Sequence, residues 1–194
     1  MKRTITAVIA AIAAGLVVGC SHSKEPPKTH YFAFQVGDES QALLGKDVLH
    51  EVDRRGSSRD TLVVDVMIGQ SLQNFYSDAE RPVGIREISE SLKPDPASSA
   101  VLVPDALARV SGLAQMNQGK QEVVGYIVTP GTCDPVVLAR LAGEAIKLPQ
   151  SASVQLLGVA PENRLCMSQV FQANQRIKIS STEEEWLRAI HNSL

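Results

Sequence analysis

The chain has three cysteines, Cys20, Cys133 and Cys166, and they are its most reactive side chains. Cys20 follows Leu16-Val17-Val18-Gly19, at the end of a segment that begins Met1-Lys2-Arg3 and runs apolar from Ile5 to Val18. A basic start, a short apolar stretch and a small residue before a cut are the parts of a secretory signal, and the stretch is too short to span a bilayer. Export places Cys133 and Cys166 where thiols can oxidise, so they either pair or stand as two separate buried thiols. The four histidines, His22, His30, His50 and His191, show no metal-ligand spacing. Nucleophile-elbow, zinc-protease and phosphate-loop patterns are missing, and Gly69-Gln70-Ser71-Leu72-Gln73 lacks the second glycine that an elbow needs. Asp65 is an acid inside an apolar run. It is read either as a working carboxylate or as a strand-end residue bonded to neighbouring backbone.

The elements that must position these residues alternate short apolar runs with helical patterns, which predicts an α/β fold with a mostly parallel sheet. Residues 31–36 and 61–67 read as strands, the second nearly continuous in apolar residues, as expected where both faces are covered. Ser40 is the expected cap of a helix that carries Leu44, Val48, Leu49 and Val52 on one face. From Gly69 to Ser99 the pattern predicts short helical pieces through Leu72, Phe75, Ile85, Ile88 and Leu92, interrupted at Pro82 and ended by Pro94 and Pro96. Pro104 and Gly119 bracket a helix with Ala106, Leu107, Val110, Leu113 and Ala114 on one stripe. Residues 123–128 form a third strand that ends in the turn Pro130-Gly131-Thr132. Asp134 and Pro135 start a helix with Leu138, Leu141, Ala145 and Ile146 inward. A fourth strand over 153–159, a short helix over 163–169 and a strand over 176–179 lead to a last helix. That helix is capped by Thr182 with Glu185 or Ser181 with Glu184, ahead of Trp186, Leu187 and Ile190.

Composition narrows the classes. Loss of residues 1–19 takes Lys2 and Arg3 from 19 basic residues set against 21 acidic ones, moving the net charge from −2 to −4. Without a basic patch the chain is not expected to bind nucleic acid. Aromatic residues are only 4% of the chain, too few for stacking platforms. The remaining ~175 residues suit one domain with its own core.

Leu16-Val17-Val18-Gly19-Cys20 resembles the bacterial lipobox, which implies that residues 1–19 are a lipoprotein signal and that Cys20 is lipidated. Residues 20–29, with Pro26-Pro27, are then a tether, and 30–194 the domain. In such lipoproteins a serine at the position of Ser21 goes with the outer membrane, so the expected place is the bacterial cell envelope, facing the periplasm. The membrane is then held through the lipid on Cys20.

The element order, together with Tyr126-Ile127-Val128-Thr129-Pro130-Gly131 and Leu156-Leu157-Gly158-Val159, resembles a von Willebrand factor A (vWA) domain. The likeness runs from about residue 30 to 193. It implies a doubly wound, mostly parallel sheet with helices on both faces, Rossmann-like in outline. In that family a divalent cation is held by D-x-S-x-S after the first strand, by a threonine in a middle loop and by the aspartate of T-D-G. Here the first motif falls on Gln35-Val36-Gly37-Asp38-Glu39; a second register places Asp38 and Ser40 well but puts Ala42 at the second serine. Pro130 stands at the T-D-G aspartate, and Ser98 or Ser99 at the threonine. The resemblance therefore implies a degenerate metal site, with Asp38 and Ser40 as weak candidates for Mg²⁺ or Mn²⁺ and no other cofactor.

The expected function is a non-catalytic module that binds another envelope protein. Its candidate binding edge is Gly37, Asp38, Ser40, Ser98, Ser99, Pro130, Gly131 and Thr132. Metal-dependent ligand binding at the same edge and an envelope hydrolase are the alternatives.

Overall fold

The computed structural model describes residues 26–57, 59–78 and 83–194, so the expectations for the signal, Cys20, most of the tether and the break at Pro82 lie outside the described residues. Six strands form one sheet: β1 (Thr29–Gln35), β2 (Thr61–Ile68), β3 (Ser71–Asp78), β4 (Val123–Val128), β5 (Ala152–Leu157) and β6 (Ile177–Ser180). Their order is β3-β2-β1-β4-β5-β6, with only β3 antiparallel to its neighbour. The helices are α1 (Glu39–Arg55), α2 (Val83–Ser91), α3 (Val103–Met116), α4 (Pro135–Lys147), α5 (Pro161–Phe171) and α6 (Glu183–His191).

Every residue of β1 is buried. It lies between β2 and β4, with Thr29 opposite both Thr61 and Val123. Alternate side chains go to opposite faces, as a strand requires. Tyr31 and Ala33 join α3, α4 and α5 in one core, while Phe32 and Phe34 join α1, α2 and α6 in the other. Phe32 stacks on Tyr126 with ring centroids 5.1 Å apart. On the other face, a Cβ on Gly125 would lie 2.7 Å from Val110 Cγ2 in α3, so glycine lets the helix seat on β4.

Several expectations need correction. The N-cap of α1 is Asp38, whose Oδ1 accepts from Gln41 N at 2.9 Å; Ser40 lies inside the first turn. Leu72 and Phe75 are not helical but belong to β3, an edge strand that follows a tight turn with Gly69 at φ 56°. Ile146 points outward and is 85% exposed, because Val137, Leu141, Ala145 and Leu148 are the residues that face the core and Ile146 is turned about 100° from Ala145. Thr29 belongs to β1 rather than to the tether. Asp65 sits mid-strand, beside the irregularity between Val64 and Asp65. Its partners are side chains: Tyr31 Oη donates at 2.9 Å, Asn74 Nδ2 donates at 2.7 Å, and Arg109 Nε lies 3.8 Å away. Burial, then the Asp65 charge, pushes the Tyr31 hydroxyl far above its usual range. Of the two expected capping boxes, the one present is Thr182 with Glu185.

A second buried pair closes the opposite edge of the sheet. His30, fully buried, places Nε2 3.1 Å from Asp60 Oδ2. Asp60 also accepts from Lys28 N at 2.9 Å and Ser57 N at 2.8 Å. Burial pushes this carboxyl up, but the His30 and backbone hydrogen bonds outweigh it and hold the group at about 2.

A free aspartate titrates near 3.9, so the stabilisation from Asp60 is complete above about pH 4 and is lost as pH falls towards 2. Equilibrium unfolding measured across that window should show the loss, and Asp60→Asn should flatten it. Gly125→Ala should cost about 1–3 kcal/mol by overpacking against a β-branched side chain with one favoured rotamer. Thermal unfolding should register this as a drop of several degrees.

Candidate functional site

At the C-terminal ends of β1 and β4 the chain reverses into loops, and neighbouring strands of a doubly wound sheet diverge there to leave a crevice. Gln35, the last residue of β1, accepts through Oε1 a hydrogen bond from Thr129 Oγ1 at 2.7 Å, and both are buried. Thr129 Oγ1 in turn accepts from Gly131 N at 2.9 Å, which turns the chain back after the strand. Gly131 has φ 72°, a left-handed value that favours glycine. Pro130 O accepts from Ala160 N at 2.9 Å and from Asn163 Nδ2 at 3.1 Å, and Asn163 Nδ2 also reaches Gly131 O at 3.1 Å. Cys133 and Cys166 form a disulfide, with Cα atoms 5.7 Å apart, that ties this loop to α5.

On the β1 side, Gly37 N donates to Gln41 Oε1 at 2.7 Å, and Ser40 Oγ donates to Asp38 Oδ1 at 2.7 Å. The Ser40 hydroxyl, followed by the Gln41 N–H, holds the Asp38 carboxyl below its usual range. Asp95 organises the middle loop. Its N–H donates to Val36 O at 2.6 Å, and its carboxylate accepts from Gly69 N at 3.1 Å and Ala97 N at 2.9 Å. Ser98 Oγ donates to Met67 O at 2.8 Å, and Ser99 Oγ accepts from Val101 N at 3.4 Å to open a 3-10 turn over Ala100–Leu102.

The eight candidate residues therefore share one edge of the sheet in three loops. Their polar groups mostly build those loops: Asp38 caps a helix, Ser98 and Ser99 fix turns, and Thr132 Oγ1 accepts from Asp134 N at 3.0 Å. Beside Ser99 a cavity of about 360 Å³ opens, lined by Gln70, Ala97, Ser99, Val101, Leu102 and Asp105. Val101 in its lining is exposed, as is Val136 one turn before Arg140 in α4, and Arg140 joins α4 to the 3-10 turn and α3 by donating to Val101 O at 3.1 Å and Asp105 Oδ1 at 2.7 Å. Among the described residues no group of three or more His, Cys, Asp or Glu is placed to hold a metal ion. Sequence reasoning did not select Gln35, Thr129, Asp95 or Asn163 as site residues. Signals existed for Gln35 and Thr129, which lie in the two strand-end motifs, and for Asp95, which stands between Pro94 and Pro96.

No protein-family pattern matches the chain, and no characterised protein matches it in sequence. Solved structures do match in fold. The pilus adhesin SpaC from Lactobacillus rhamnosus GG, in its open conformation, superposes with a TM-score of 0.61 at 11% identity, over 88% of this chain and 30% of that one. A von Willebrand factor type A protein from Catenulispora acidiphila gives 0.62 at 10% identity, over 86% and 42%. The fold is that of a vWA domain. The vWA domain of SpRpn10 gives 0.52 at 10% identity, over 87% of this chain and 95% of that one. The chain thus spans less than half the length of the first two proteins and corresponds to their vWA-like part. Within the vWA frame, the ends of β1 and β4 hold Gln35 and Pro130, and neither carries a charge.

The disulfide closes a loop of sequence separation 33, which by chain entropy is worth about 3–4 kcal/mol. Cys133→Ala with Cys166→Ala should lower the denaturant midpoint accordingly. A reductant should shift the native protein by the same amount and leave the double variant unmoved.

Proposed function

We propose that this protein is a lipid-anchored envelope module that binds another envelope protein through the C-terminal edge of its sheet, without catalysis and without a metal. A vWA fold supports an interaction module. The observation that carries the finer reading is the cavity beside Ser99 with the exposed Val101 in its lining, because apolar side chains around a concave site are what a partner can bury.

The residues at this edge do not fit the family's cation set. Gln35 has spent its carbonyl oxygen on Thr129, Pro130 has no side-chain donor atom, and Asp38 is engaged by Gln41 N and Ser40. A hard divalent cation takes several oxygen ligands, usually with carboxylates to balance its charge, and one helix-capping aspartate is a poor start. Anchorage rests on the lipobox resemblance of residues 16–20, and the periplasmic face of the outer membrane on Ser21.

Two measurements test this reading. Photo-crosslinking side chains at Ser99, Val101 and Val136 in intact cells should each capture the same envelope protein, whereas one at Arg86 on α2 should capture none. Capture from Arg86 alone would move the binding surface elsewhere. Thermal unfolding in EDTA and then in millimolar Mg²⁺, Mn²⁺ or Ca²⁺ should give the same midpoint, since a ligand bound to the folded state must raise it. A rise that Asp38→Ala abolishes would replace this reading with metal-dependent binding.

A further inference from the structure

The most exposed large apolar side chains among the described residues are Ile146, at 85%, and Met116, at 74%. Both stand in the last turns of neighbouring helices, Met116 ending α3 and Ile146 next to last in α4. These helices run opposite to the strands they cover, so both residues sit at the N-terminal edge of the sheet, away from the candidate binding site. The edge is held together locally: Asn117 Nδ2 donates to Thr29 Oγ1 at 3.1 Å, and Asn174 Nδ2 donates to Ala145 O at 2.7 Å.

Two lysines follow the pair along the chain: Lys120 comes after α3, and Lys147 ends α4, where it pairs with Glu144 at 2.8 Å. Glu122 on the same edge is paired with Lys28 at 3.8 Å. Arg54 and Arg55 end α1 on the other face of the sheet, both paired with Glu51. Helix dipoles account for basic residues at helix C-termini. They do not account for an isoleucine and a methionine left in water beside them. Leu165 and Val136 are also exposed, but at the opposite edge.

β1 begins at Thr29 on this same N-terminal edge, so the chain that precedes it leaves the domain here. We propose that this edge is a membrane-contact surface, in which Met116 and Ile146 enter the headgroup region of a phospholipid leaflet and Lys120 and Lys147 meet its anionic headgroups. The proposal rests on the lipid-anchor reading of Cys20. Nine residues from Cys20 to Lys28 reach at most about 30 Å, so the edge is kept close to the bilayer. Tethering makes the contact intramolecular, and weak apolar and ionic contributions then suffice to orient the domain. The orientation turns the cavity beside Ser99 away from the lipid, towards a partner.

The test uses the full, lipidated chain in vesicles of phosphatidylethanolamine and phosphatidylglycerol, with Met116→Trp, Ile146→Trp and Leu165→Trp compared one at a time in a Trp186→Phe background, so that each variant has a single indole. Brominated acyl chains quench only indoles that reach the interface. Emission from positions 116 and 146 should fall about twofold while that from 165 is unchanged, and Lys120→Glu with Lys147→Glu should weaken the quenching. Vesicle flotation without quenching at 116 or 146, or equal quenching at all three positions, would overturn the contact and leave the anchor standing. A protein that does not float removes the anchor and the contact together.

Discussion

The strand β1 has no face to water, and the rest of the structure is arranged around that constraint. A buried polar group without a partner costs about 1–3 kcal/mol, so each polar side chain on this strand must find one inside the protein. Thr29 reaches Gln121, His30 reaches Asp60, Tyr31 reaches Asp65, and Gln35 receives Thr129. These bonds fix the strand to β2, to β4 and to the loops at both of its ends. The two edges of the sheet are therefore positioned from the centre outward. The bond between Gln35 and Thr129 also decides the chemistry of the upper edge, because it fills with a neutral pair the place where strand ends could have presented charge.

How much of this was legible in the sequence varied with distance along the chain. Local signals held: Asp134 with Pro135 starts α4, and Thr182 with Glu185 forms the capping box of α6. The buried parallel strands showed as apolar runs because both of their faces are covered. β3 did not, since Leu72 and Phe75 are spaced like one face of a helix and an edge strand is relieved of half its apolar requirement. Ser40 looked like a cap because serine is a good one, yet Asp38 two residues earlier satisfies the first turn. Ile146 is apolar and borders the stripe of α4 in sequence, but the inward line runs through Val137, Leu141, Ala145 and Leu148 and leaves it outside. The loops of the site could be chosen from the strand ends alone. The bonds that shape them could not, because Gln35 with Thr129 is separated by 94 residues and Asn163 with Pro130 by 33, and neither pairing leaves a local trace.

The likeness to vWA domains, at 10 to 11% identity, illustrates how little sequence a doubly wound sheet demands once its strand order is set. Here aspartate and serine are used largely as scaffolding, and an exposed apolar side chain, Val101, lines the cavity beside them.

The Cys133–Cys166 bond joins the loop after β4 to α5, at the margin of the core that Cys166 packs against. The turn through Pro130 and Gly131 is already held by the Thr129 hydroxyl and by Asn163, so the covalent bond adds to a shape that hydrogen bonds set. Oxidation therefore locks this edge rather than builds it. With both thiols free, the same loop would hang on bonds that open and close, and it would visit neighbouring shapes more often.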